Sequence, residues 1–275
     1  MRSCLASILL ALVLVGPDTS WAGPSLILAT TTSTDNSGLL DELLPTFEKR
    51  TGIEVKPVAV GTGAALRMAS KGQADAVLTH APAAEKPLIE AGDLLEGRRI
   101  MHNDFVLVGP KTDPAGARLD RLEAALVAIA RHGRFVSRGD DSGTHKRELA
   151  LWEAVGLDPE TLSYREETGQ GMGATLDIAS ERQSYALTDR GTYLALRKRL
   201  DLDVIFEGAP PLLNIYSIYV VNPEKHGGAK ADLARQLVTF FLEEETQKRI
   251  GTFRRAEFGR PLFVPDALPS SKQPG

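Results

Sequence analysis

The strongest constraint on the fold is an alternation of short apolar runs with amphipathic stretches of helical length, from about residue 24 to about residue 250. This alternation is typical of α/β proteins, in which helices cover parallel sheets. The predicted strands are residues 26–30, 53–60, 74–79, 105–108, 134–137, 184–187, 204–206 and 215–221. The predicted helices are residues 38–50, 64–71, 119–131, 144–155, 174–181, 193–200 and 230–250.

Residues 1–22 have the features of a secretory signal peptide: Arg2, an apolar run over 5–15, and Ser20-Trp21-Ala22 as a small-x-small cleavage site. The apolar run is much shorter than the roughly 20 residues that span a bilayer. We therefore expect export to the periplasm without direct membrane insertion.

Charge and residue types exclude several function classes. A formal net charge of −4 gives no support to nucleic-acid binding, so any anion site must be built locally. The one cysteine, Cys4, lies in the predicted signal peptide, which excludes disulfides and cysteine-ligated zinc from the rest of the chain. The histidines are scattered, without a recognised spacing of metal ligands. We expect no metal cation and no cofactor.

Four loops that each lead into a predicted helix are rich in hydroxyls or glycines. They are residues 30–38 (TTTSTDNSG), 61–63 (GTG), 137–144 (SRGDDSGT) and 169–173 (GQGMG). The first N–H groups of a helix lack intrahelical partners and lie at the positive end of its dipole, so such loops can bind an anion. Ordinary N-capping explains any one of them taken alone, but four consecutive hydroxyls over 30–33 exceed what a cap needs.

Arg138 has two interpretations. It is either a surface charge paired with Asp140 or Asp141, or a guanidinium that donates to an anion from a partly buried cleft. Ser142 and His145 nearby superficially resemble a hydrolase motif, but residues at one helix start rarely form a triad. We expect His145 on the helix surface and no enzyme activity.

The four loops, in this order, resemble signatures of the tungstate-binding proteins of ABC transporters, and the likeness covers most of the chain after the signal peptide. It implies a two-lobed type II periplasmic-binding-protein fold, each lobe a mostly parallel sheet flanked by helices, with the ligand in the interlobe cleft. Lobe one would be residues 24–108 plus 213–268, lobe two 109–212, and 269–275 a C-terminal tail. The ligand-binding residues implied are Thr32, Ser33, Thr62, Gly63, Arg138, Ser142, Gly143, Thr144, Gly171 and Met172.

The function implied by the resemblance is capture of a tetrahedral oxyanion, tungstate or molybdate, and its delivery by a monomer to the permease of an ABC transporter. A deprotonated tungstate or molybdate only accepts hydrogen bonds, whereas a protonated phosphate also needs an acceptor. The orientation of Asp140 and Asp141 therefore separates tungstate from phosphate. Tungstate and molybdate have nearly the same size, and only the resemblance favours tungstate. An enzyme or a sensory binding protein on the same fold are the remaining alternatives.

Overall fold

The computed structural model describes residues 23–268; the predicted signal peptide (1–22) and tail (269–275) lie outside them. The strands are β1 (Ser25–Thr31), β2 (Glu54–Val60), β3 (Ala76–Thr79), β4 (Leu94–Pro110), β5 (Phe135–Ser137), β6 (Arg165–Glu167), β7 (Ala186–Asp189), β8 (Leu202–Phe206), β9 (Leu213–Val221) and β10 (Val264–Pro265). The helices are α1 (Thr32–Asn36), α2 (Leu39–Thr51), α3 (Thr62–Ser70), α4 (Pro82–Glu90), α5 (Leu122–His132), α6 (Gly143–Ala154), α7 (Met172–Glu181), α8 (Arg190–Leu196), α9 (Ala231–Leu242), α10 (Glu244–Thr252) and α11 (Arg255–Phe258).

The predicted α/β class is confirmed, and every predicted strand overlaps an observed one. The single helix predicted at 230–250 is wrong. Glu243 adopts an extended backbone, with φ −60° and ψ 140°, and divides the segment into α9 and α10. Helix α4 was not predicted, because two prolines weaken its helical signal; Pro82 occupies the first turn, where proline is tolerated. Within the described part, no helix combines the length and the apolar character that a membrane span requires.

The main sheet is mixed rather than mostly parallel. Strand β1 pairs in parallel with β2 on one side and with β3 on the other. Strands β3 and β9, and β9 and β4, pair antiparallel. The reason is that β4 carries the chain from the first half of the molecule to the second and β9 brings it back, so these neighbours run in opposite directions.

The apolar residues form two groups of cores on either side of these crossing strands. One group packs residues 26–101 with residues 216–263. The other draws its residues from 105–212, including Phe105 and Val108 of β4. Strand β4 therefore enters the second group of cores before residue 109, and the lobe boundaries at 108/109 and 212/213 stay a prediction.

A buried ion pair supports the loop that carries Arg138. Glu148 of α6 accepts from Arg165 Nε at 2.8 Å and from Trp152 Nε1 at 3.2 Å, and it also bonds the Ser137 hydroxyl. The side chains of Glu148 and Arg165 are each 4% exposed. These contacts join β5, β6 and α6, the three elements that surround residues 138–142.

We expect Glu148→Ala to lower the free energy of unfolding by about 3–5 kcal/mol, because it leaves the buried Arg165 without its buried carboxylate partner. The exposed Glu153 of the same helix is the matched control, and Glu153→Ala should change stability by less than about 0.5 kcal/mol. Urea denaturation measures both. Equal stability of the two variants would show that the ion pair does not support the loop.

Candidate functional site

Two of the predicted loops come together because they follow neighbouring parallel strands. Thr31 at the end of β1 lies opposite Val60 at the end of β2. The loops that follow therefore start at the same edge of the sheet, where ligands bind in open α/β folds. Strand β3 ends at this edge too, and His80 is the first residue after it.

A cavity of about 300 Å³ lies where these loops face the second group of cores. Five of the ten predicted ligand-binding residues line it: Thr32, Ser33, Arg138, Gly171 and Met172. Its wall also contains residues that the sequence did not point to, among them Asn103, Asp189, Thr192, Tyr216, Arg254 and Phe263. The cavity thus takes its lining from both halves of the molecule.

The other five predicted residues, Thr62, Gly63, Ser142, Gly143 and Thr144, are not part of that lining. Some of them form a contact between the halves beside it. A Cβ atom on Gly143 would lie 3.0 Å from His80 Cε1 and 3.5 Å from Thr62 Oγ1, and one on Gly63 would lie 3.7 Å from Asp141 Oδ2. The binding roles of these five residues stay a prediction.

Arg138 has one hydrogen-bond donor that no described residue of the protein engages. Its side chain is 12% exposed, and one terminal nitrogen pairs with Asp140. Its Nε is buried and has no hydrogen-bond partner within residues 23–268. Buried polar groups are nearly always hydrogen-bonded. A buried, positively charged N–H without a partner on a cavity wall is therefore suited to an anionic ligand.

Neither of the two aspartates of this loop lines the cavity. Asp140 pairs with Arg138 and accepts from Ser142 N at 3.2 Å. The Asp141 side chain is 77% exposed and pairs with Lys146. The carboxylate that does line the cavity is Asp189, whose oxygens accept from the Thr192 backbone N–H at 2.8 Å and the Thr192 hydroxyl at 2.6 Å. It caps helix α8.

Helices α6 and α7 both begin near the site, and only α6 has a side-chain cap. The Ser142 hydroxyl caps α6 by accepting from His145 N at 3.3 Å. Helix α7 begins at Met172 after Gly171 and has no side-chain cap, so its first N–H groups remain available to a ligand.

The structure corrects the placement of His145 on the helix surface. Its side chain is only 14% exposed. Its Nδ1 accepts from Asp141 N at 3.1 Å, and its Nε2 faces Arg165 and Glu167. Neither ring nitrogen bonds the Ser142 hydroxyl, so these two side chains do not form the nucleophile–base pair of a hydrolase.

His80 is a further residue of this region that the sequence did not reveal. Its ring is buried, stacks on Tyr216 with centroids 4.6 Å apart, and bonds Asn214 Oδ1 through Nδ1 at 2.8 Å. Its Nε2 lies 3.0 Å from Ser33 Oγ and 3.2 Å from Thr31 Oγ1. Burial lowers the pKa of His80 below its ordinary value. His80 is therefore a neutral neighbour of the hydroxyl loop.

Arg254 brings a second guanidinium to the cavity. It precedes α11, and its side chain is 38% exposed. It forms an exposed ion pair with Glu257, at 3.7 Å. Exposed pairs of this kind contribute little, so the charge of Arg254 is poorly compensated. Residues 23–268 contain no group of three or more His, Cys, Asp or Glu side chains that could hold a metal ion.

Comparisons with known proteins agree on one relationship. The family model of the PBP superfamily domain matches residues 18–245. The tungstate-binding protein TupA of Peptoclostridium acidaminophilum is 49% identical over 88% of this chain and 86% of its own length. The solved structure of the tungstate-binding protein TupA from Desulfovibrio alaskensis is 46% identical, with a TM-score of 0.81 over 90% of this chain and all of that one. A solved tungstate ABC transporter protein from Geobacter sulfurreducens is 44% identical, with a TM-score of 0.74 over 83% of this chain and 98% of that one.

Because the pKa of His80 is lowered in the folded protein, folding stability should depend on pH. Between that pKa and the ordinary value of 6.5, the unfolded chain binds a proton that the folded protein does not. The contribution of His80 to the free energy of unfolding is therefore complete above pH 6.5 and is lost as the pH falls below it. We expect the urea midpoint to decrease more between pH 7.5 and 5.5 in the wild type than in His80→Asn. An equal decrease in both proteins would contradict the assignment.

Proposed function

The chain belongs to the PBP superfamily, that of the periplasmic binding proteins, and from this premise we propose that it captures tungstate and delivers it to the permease of an ABC transporter. Its relatives are named as binding proteins and not as enzymes. The proposal includes an exported monomer in the periplasm, with a separate subunit hydrolysing ATP.

The observation that carries the proposal is the unpartnered Nε of Arg138, a residue that lines the cavity together with hydroxyl, amide and guanidinium groups able to donate hydrogen bonds. The hydroxyls of Thr32 and Ser33 and the first N–H groups of α7 line the same cavity. Hydrogen bonds to charged groups are roughly twice as strong as neutral ones. A tetrahedral dianion that accepts from all of these groups satisfies them together.

The arrangement of carboxylates favours tungstate over phosphate. Asp140 and Asp141 are paired with Arg138 and Lys146 and do not line the cavity. Asp189 lines it, but both of its oxygens are engaged by Thr192. A protonated phosphate would need a free acceptor. Molybdate matches tungstate in charge and shape, so the preference for tungstate rests on the names of the relatives.

Binding would stabilise the closed arrangement of the two halves. Thr32 and Ser33 belong to the first half, whereas Arg138, Gly171 and Met172 belong to the second. An anion that accepts from both sides has a higher affinity for the closed form, and this difference drives closure. Gly143 and His80 lie close together between the two halves, since a Cβ atom on Gly143 would be 3.0 Å from His80 Cε1. The permease, or a receptor if the protein is sensory, would recognise this closed shape.

Calorimetric titration of the purified protein with tungstate, molybdate, sulfate and phosphate at pH 7.5 tests the proposal. We expect one-to-one binding of tungstate, weaker or equal binding of molybdate, and none of sulfate or phosphate. Binding of phosphate instead would overturn the tungstate assignment while leaving an oxyanion site. Absence of binding by all four anions would overturn the proposed function.

Arg138→Ala should weaken tungstate binding by about 1.5–3 kcal/mol, the contribution typical of hydrogen bonds to charged groups. The control is Arg134→Ala, which removes an exposed arginine just before the same strand, outside the cavity lining. Calorimetry should give the control an affinity within a factor of about two of the wild type, as expected of a surface substitution. Unchanged affinity in Arg138→Ala would exclude this arginine as the ligand's charged donor.

Arg254 should act mainly on the rate of capture, because a poorly compensated surface charge attracts a dianion over a distance set by salt. In stopped-flow measurements, Arg254→Ala should slow tungstate association at low ionic strength, and the difference should shrink in 0.5 M salt. Arg255→Ala removes the same charge from the next residue, which does not line the cavity. Equal slowing in the two variants would assign the effect to net charge alone.

A further inference from the structure

The ring of His80 is fixed in one tautomer by the amide of Asn214. Asn214 Nδ2 donates to Asn103 Oδ1 at 2.7 Å and lies 3.1 Å from Tyr216 Oη. Its Oδ1 is therefore the atom that faces His80 Nδ1, at 2.8 Å. Because an amide oxygen only accepts, Nδ1 carries the proton. In the neutral ring, Nε2 is then an acceptor with a single lone pair.

Two hydroxyls compete for that lone pair. Ser33 Oγ lies 3.0 Å from Nε2 and Thr31 Oγ1 lies 3.2 Å from it. A hydroxyl has one proton to donate, so whichever side chain bonds Nε2 cannot donate elsewhere. The other hydroxyl remains free to donate. If Thr31 donates to His80, the Ser33 hydroxyl can present its proton to the cavity. If Ser33 donates to His80, it presents only lone pairs.

Thr31 is the hydroxyl better suited to His80. It does not line the cavity, whereas Ser33 does. Its oxygen accepts from Thr34 N at 3.3 Å and lies 2.8 Å from Thr34 Oγ1 and 3.1 Å from Ser33 Oγ. Thr31 can thus donate to Nε2 while the N–H and the hydroxyl of Thr34 satisfy its own lone pairs. If Ser33 donated to Nε2 instead, only its lone pairs would face an anion.

We propose that Thr31 and His80 are positioning residues for the oxyanion: Thr31 donates to His80 Nε2, and this leaves the Ser33 hydroxyl proton free for the ligand. The proposal rests on the proposed function and adds two residues that act through Ser33 without contacting the anion. Without the Thr31 hydroxyl, the single proton of the Ser33 hydroxyl can be donated either to His80 Nε2 or to the anion, but not to both. Either choice leaves one buried acceptor without its donor, which weakens binding.

A double-mutant cycle tests the proposal, because it isolates the coupling between the two side chains. Thr31→Val keeps the shape of the side chain and removes the hydroxyl. His80→Asn keeps an amide N–H for Asn214 and removes Nε2. By the usual cost of an unsatisfied buried acceptor, we expect Thr31→Val to weaken tungstate binding about fivefold or more with His80 present and less than about twofold in His80→Asn.

Thr31 also caps α1, so Thr31→Ser is the control that keeps the hydroxyl. We expect it to bind tungstate within about twofold of the wild type, because it keeps the hydroxyl and loses only one methyl group. If Thr31→Val does not fold, as judged by circular dichroism, Thr31→Ala replaces it in both backgrounds.

Either of two results would overturn the proposal: an affinity of Thr31→Val close to that of the wild type, or an equal loss with and without His80. Failure of the proposed function would be distinct, because the wild-type protein itself would then not bind tungstate.

Discussion

The buried guanidinium of Arg138 needs an anionic partner that the protein supplies only in part. Asp140 pairs with one terminal nitrogen, while Nε has no partner within residues 23–268. Much of the surrounding structure holds this group in place. Glu148 and Arg165 form a buried pair beneath the loop, and Ser142 caps the helix that follows it. In the proposed function, an external anion would complete the arrangement.

The sheet brings uncharged donors to the same place. Three parallel strands end at one edge. The segment after β1 supplies the hydroxyls of Thr32 and Ser33, among others, to the cavity, and His80 after β3 is a neutral histidine beside it. Neutral donors add hydrogen bonds without further burial of charge, whose desolvation is costly. The antiparallel neighbours β4 and β9 connect the halves, so the cavity lies beside the strands that cross between them. Geometry of this kind lets one small ligand bridge both halves.

Much of this could be predicted from the sequence, and the missing parts have physical reasons. Hydrophobic periodicity located the strands, and hydroxyl density at a helix start identified Thr32 and Ser33. His80 carries no motif, since its role depends on β3 ending beside β1 and on an amide 134 residues away. Arg254 reaches the cavity only through the packing of the C-terminal segment, which leaves no local signal. The direction in which Asp140 and Asp141 point is likewise a tertiary property.

The central claim is that one oxyanion lies in this cavity and accepts hydrogen bonds from both halves of the molecule. Crystals grown with tungstate, measured at a tungsten absorption edge, would locate the metal directly by its anomalous signal. We expect one peak, with oxygens at hydrogen-bond distance, about 3 Å, from Arg138 Nε and Ser33 Oγ. A peak outside the cavity, or one whose ligands all come from a single half, would contradict this claim.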